Sequence, residues 1–190
     1  MLRKSLAAVF MSTFIAATAF AGPPSAGHAD TPEKAANLSE ALSVLHAVSQ
    51  WSVDLSEMGD KRAKSDLVKN YAHSMAAANT TMDAKLLSIA QKDGVDIVPL
   101  NPQSEEGKSL LDRFNAEKVL LSSLEGDAFD KEYMTLVTNT QQSVIHVLET
   151  SKASATNKEV KQFLGDAMTT VQNRLKTAQD ILAKVYGDQV

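Results

Sequence analysis

The sequence predicts an all-α fold, an antiparallel four-helix bundle with one extra short helix. Three observations carry this reading. The five prolines fall at 23, 24, 32, 99 and 102, which leaves residues 33–98 and everything after Pro102 free of proline. Aromatic residues make up 5% of the chain while alanine and leucine abound, a balance that favours helices over strands. Apolar residues recur at three-and-four spacing through each long proline-free stretch.

Residues 1–21 read as a secretory signal. Arg3 and Lys4 supply a charged start, Leu6 to Phe20 runs without a charge, and Ala19-Phe20-Ala21 ends the stretch with small residues where a signal peptidase reads. The apolar run is ~15 residues, short of the ~20 that a membrane-crossing helix needs. A second small-residue site, Gly27-His28-Ala29, allows a cut as late as 29. No cysteine follows, so a lipid anchor is excluded. The expected address is therefore the periplasm or another exported compartment, with no stable membrane anchor after cleavage.

Removing Arg3 and Lys4 leaves 17 basic against 23 acidic residues, a net charge of −6 with histidines neutral. Nucleic acid is excluded as a partner, because it wants a clustered basic surface. The absence of cysteine removes disulfides, thiol nucleophiles and thiolate metal sites. About 165 mature residues suffice for one core and one domain.

Residues 22–37, small and proline-bearing, form a flexible leader, and the domain spans 38–187. Helix one covers Leu38 to Arg62, with Asn37 or Ser39 as cap and Leu38, Leu42, Leu45, Val48 and Leu55 as its apolar stripe. Helix two covers Ser65 to Lys92 and stops at Asp93-Gly94. Its stripe is Val68, Tyr71, Met75, Met82, Leu86 and Ile89. Val95 to Gln103, with both mid-chain prolines, is a loop. A shorter helix covers Glu105 to Leu124 and is ended by Gly126. A fourth runs from Asp127 to Ser151 on Phe129, Tyr133, Val137, Val144 and Leu148. The last, capped by Asn157, reaches Tyr186 on Val160, Leu164, Val171, Ala178 and Leu182. Short turns between helices of similar length predict antiparallel neighbours.

Each long stripe is interrupted near its middle by a polar residue: Ser52, Asn79, Gln141 and Arg174. Antiparallel packing brings these midpoints to one level. Two readings stand. In one, these are half-solvated boundary positions whose arginine head reaches water. In the other, they form a hydrogen-bonded layer in the core, with Asp83, one turn beyond Asn79, as the partner that a buried arginine requires. Neither reading makes a metal site: the four offer no carboxylate and no imidazole, and an arginine repels a cation.

The remaining residues carry less chemistry. His46, His73 and His146 share no helix at ligand spacing, and no H-E-x-x-H or E-x-x-H occurs. Asp130 and Glu132 lie in the first turn after Gly126, where acids favour a helix start. There is no G-x-S-x-G and no phosphate-binding glycine loop. Trp51 and the methionines Met58, Met75, Met82 and Met168 fill core gaps. No catalytic residue and no cofactor is expected.

Four segments carry a resemblance: Val68-Lys69-Asn70-Tyr71-Ala72 followed by Met75, the turn Asp93-Gly94-Val95, Gly126-Asp127-Ala128-Phe129-Asp130-Lys131-Glu132-Tyr133-Met134, and Val160-Lys161-Gln162-Phe163. In these the chain resembles the domain of unknown function 4142 family of exported bacterial proteins, over about Leu38 to Tyr186. The resemblance implies export, a ferritin-like fold, and a structural role for Gly126, Phe129, Asp130 and Tyr133. The family pattern carries histidine where this chain has Asn79, Gln141 and Arg174, and glutamate where it has Ser52. A metal site at that level in the family is thus implied to be lost here. The expected function is a non-catalytic binding or structural role, stress-related in one version, toward a protein or small-molecule partner. The alternative is a ferritin-like metal-binding protein or oxidase, and an acidic chain without a basic amphipathic helix argues against a membrane-surface role.

Overall fold

The computed structural model describes residues 32–187, with side chains from Leu38 onward; the predicted signal and its cleavage sites lie outside the described residues. Five helices follow: α1 (Pro32–Arg62), α2 (Asp66–Lys92), α3 (Glu105–Ser122), α4 (Gly126–Ser154) and α5 (Lys158–Tyr186). No strand occurs among the described residues. The four long helices pack in a ring, α1 against α2, α2 against α5, α5 against α4 and α4 against α1. Neighbours are antiparallel. The chain makes the hairpin α1–α2, returns along the bundle through the Val95–Ser104 loop and α3, then makes the hairpin α4–α5.

The helix starts depart from expectation at one place. α1 begins at Pro32, so residues 32–37 of the expected leader are helical. Proline suits a first helical position, because its ring presets φ and its missing N–H has no helical partner there. Neither Asn37 nor Ser39 therefore caps α1. The Ser39 hydroxyl instead donates to the Asp96 carbonyl at 2.5 Å, tying down the chain after α2. Elsewhere the ends fall within three residues of those expected. Asn157 caps α5, its side-chain oxygen accepting the Glu159 N–H at 2.7 Å.

Asp130 does not serve its own helix start. It is fully buried, and its carboxylate crosses to the α1–α2 turn, where it accepts the backbone N–H groups of Lys64 at 2.9 Å and Ser65 at 2.7 Å. Ser65 precedes α2 without a capping bond of its own side chain. A carboxylate from α4 thus meets the positive end of α2, satisfying donors of the α1–α2 turn. Gly126, at φ 58°, makes the sharp entry into α4 that aims Asp130 there.

Arg62 closes the same end of the bundle. Its guanidinium donates to the carbonyls of Leu121, Ser122 and Leu124 at 3.1, 3.3 and 2.7 Å. These belong to the last turn of α3 and its exit, where carbonyls lack helical partners and the helix dipole is negative. The guanidinium also lies over the Phe129 ring, 4.9 Å from its centroid. Further along, Trp51 of α1 stacks on Phe114 of α3 at 4.7 Å. Tyr133, fully buried, passes so close to α1 that only glycine fits at 59. A Cβ there would lie 2.6 Å from the Tyr133 ring and 2.9 Å from the Ala72 Cβ.

The core divides into two clusters along the bundle. One holds Trp51, Leu55, Val68, Met75, Phe129, Tyr133, Val137 and Ala178. The other holds Leu42, Leu45, Leu86, Leu148, Leu164 and Val171. On α2, α4 and α5 the boundary falls at Asn79, Gln141 and Arg174.

Two substitutions test this account of the locked end. Asp130→Ala strands two amide donors and should lower unfolding free energy by about 2–4 kcal/mol in urea denaturation. Asp127→Ala, which removes an exposed ion pair with Lys64, should cost under about 1 kcal/mol. Equal losses would refute the assignment. Gly59→Ala should cost about 1–3 kcal/mol by overpacking, and a Gly59→Ala, Tyr133→Leu double variant should recover part of it.

Candidate functional site

Similar helix lengths and antiparallel packing bring Ser52, Asn79, Gln141 and Arg174 around one partly open cavity of about 50 Å³. Ser49 and Thr140 join the lining, with Val48, Met75, Met82, Phe163 and Val171 among its apolar members. Asn79 and Gln141 are truly buried, with 7% and 6% of their surface exposed. Ser52 and Arg174 are half-buried.

A chain of hydrogen bonds links three helices at this level. The Gln141 side-chain amide of α4 donates to the Tyr71 hydroxyl of α2 at 2.5 Å. That hydroxyl donates to the Arg174 backbone carbonyl of α5 in a long contact of 3.4 Å. The Arg174 guanidinium donates to the Asn79 side-chain carbonyl at 3.1 Å. Two buried atoms are left over: Asn79 Nδ2, a donor, and Gln141 Oε1, an acceptor, have no protein partner among the described residues. Asn79 is held in this orientation, since turning its amide would set N–H groups against the guanidinium.

Burial governs the titration of the layer. It pushes the Tyr71 hydroxyl up to about 12, against the opposing pull of the Gln141 bond and the Arg174 charge. It pushes Tyr133, one layer away, up as well. Burial also lowers the Arg174 guanidinium from its usual value, although an arginine remains charged at any physiological pH.

The predicted partner of Arg174 is corrected by the structure. Asp83 turns toward α1 and pairs with His46, Oδ1 to Nδ1 at 2.7 Å. Four residues along a helix carry a side chain about 40° past its starting face, which takes Asp83 from the α5 side of α2 to the α1 side. Arg174 has no carboxylate within 4 Å among the described residues. His73 is exposed and meets Asp60 at 3.1 Å, while His146 is exposed on α4. Among the described residues, no three His, Cys, Asp or Glu side chains gather as a metal would require. Tyr71 escaped the sequence reading because it sits in an apolar stripe. Its place in the same broad apolar stripe as Asn79, about two turns earlier, is the available signal.

The family description "domain of unknown function (DUF4142)" matches residues 23–181, and the chain belongs to that family. Its fold is similar to the crystal structure of a DUF305 protein of Streptomyces coelicolor that is named as secreted. The TM-score is 0.63 at 18% identity, covering 83% of this chain and 96% of that one. No curated protein matches the chain. A metal at the mid-bundle level does not fit the residues present, since Ser52, Asn79, Gln141 and Arg174 supply neither carboxylate nor imidazole and one of them is a cation.

The raised tyrosines set a pH dependence. A hydroxyl whose folded pKa exceeds its unfolded value near 10 contributes stability that is complete below about pH 10. That contribution is lost as pH rises through about 12. Tyrosinate absorbance from Tyr71 and Tyr133 should therefore appear together with loss of helical circular dichroism. Full tyrosine titration near pH 10 with the bundle intact would contradict the buried network.

Proposed function

We propose that the protein is exported, with residues 1–21 acting as a cleaved signal, and that the mature bundle is a non-catalytic binding protein. Its ligand occupies the mid-bundle cavity. The observation that carries this reading is the pair of buried, unpartnered polar atoms, Asn79 Nδ2 and Gln141 Oε1, on residues lining that cavity. Buried polar atoms are nearly always satisfied, so an orphaned donor and acceptor on one small cavity point to a polar occupant. Export is supported by the charged, apolar and A-x-A parts of the first 21 residues. The name of the structural neighbour, which describes it as a secreted protein, supports it, and among the described residues no helix is long and apolar enough to cross a membrane. The alternative, a ferritin-like metal-binding protein or oxidase, needs ligands that the cavity residues do not supply.

The test is direct. The full chain, expressed in a bacterial host, should be recovered from the periplasm with a mature N-terminus after Ala21, or as late as after Ala29. Retention of residues 1–21 would overturn export. Elemental analysis of the same material should find no bound iron, zinc or manganese after mild chelation. A stoichiometric, non-exchanging metal would overturn the binding assignment in favour of the alternative.

A further inference from the structure

Arg174 is the only charged residue among those lining the cavity. It also lines an outer groove of about 800 Å³ between α2 and α5, together with Met82, Phe163 and Ala167. The guanidinium thus stands in the wall between solvent and core. Of the other charged residues that line that groove, Lys85 and Lys158 are balanced by Glu159 and Asp166, which leaves Arg174 as the one uncompensated charge. The guanidinium makes a single described side-chain bond, to the neutral Asn79 amide. A half-buried arginine so partnered leaves most of its N–H donors free and its desolvation uncompensated.

We propose that the cavity receives a small carboxylate, its oxygens held by Arg174 and Asn79 Nδ2 and its short apolar body lying among Met75, Met82 and Val171. This rests on the reading of the cavity as a binding site and names the class of ligand. Charge decides against a cation, because the cavity offers a guanidinium and no anion. Shape favours a carboxylate, whose planar pair of oxygens matches the guanidinium fork. A doubly charged oxyanion would bring two charges to one cation in a largely apolar space. Size favours a ligand of only a few non-hydrogen atoms, because the cavity measures about 50 Å³. That is the span from acetate to propionate or glycolate. Gln141 Oε1, the remaining acceptor, takes the hydroxyl of a hydroxy acid, or a water.

Calorimetric titration of the processed protein with acetate, propionate and glycolate tests this, against acetamide and propionamide at fixed chloride. So small a ligand binds with a Kd on the order of 0.1–1 mM at best. The carboxylates should bind at least ten-fold more tightly than the amides. Arg174→Lys, which keeps the charge and loses the fork, should weaken them about ten-fold, and Arg174→Leu should abolish them. Should Arg174→Leu not fold, the Arg174 side-chain N–H signals of the wild-type protein, followed by NMR during acetate titration, give the same answer without a variant. Amides binding as well as carboxylates, or sulfate binding better, would overturn the carboxylate assignment and leave the binding cavity standing. Binding of none of these probes, with those signals unmoved, would overturn both.

Discussion

The Asp130 carboxylate, buried in α4 and joined to the Lys64 and Ser65 N–H groups, sets the register of the whole bundle. It belongs to one hairpin and grips the turn of the other, so it fixes how far α4 stands along α1 and α2. A buried carboxylate carries a large desolvation cost that only its full set of hydrogen bonds offsets. Sliding the hairpins by one turn would remove both bonds together. Arg62 and Gly59 reinforce the same position, the first by holding the exit of α3 and the second by admitting the Tyr133 ring against α1. The far end carries a lighter link, the Asn157 side-chain amide donating to the Asp93 carboxylate at the surface.

With the register set, the level at which Asn79, Gln141 and Arg174 meet follows from helix geometry. The layer works against stability, since it interrupts the apolar contacts and leaves two polar atoms without a protein partner. The two core clusters on either side make up for it. Eight of the largest residues with almost no exposed side chain, among them Phe129, Tyr133, Leu42 and Leu164, are apolar or aromatic and lie off the layer. A fold that tolerates an unsatisfied level in its centre does so because the packing above and below is complete.

Much of this was legible in the sequence, and the parts that were not share a cause. Helix extents and stripes follow from periodicity, which is local. The shared level of Ser52, Asn79, Gln141 and Arg174 follows from helix length, which is nearly local. Pairings are not. Asp130 sits where local rules assign it to its own helix start, yet its partners lie 66 and 65 residues away. Asp83 was expected to find Arg174 because it follows Asn79 by one turn. A turn of 3.6 residues is not four, and the difference hands Asp83 to His46. Tyr71 hid its part because its ring suits a core and only its hydroxyl reveals the layer.

The residues that fix the bundle's register and the polar residues that line its cavity are different residues. Asp130, Arg62, Gly59 and Gly126 fix the frame from one end, and none of them touches the central space. The chemistry of that space therefore changes without disturbing the frame, provided each replacement keeps roughly the same volume. On the proposed reading the domain is a container, and a handful of mid-helix positions, apart from those that set the register, would decide what it holds.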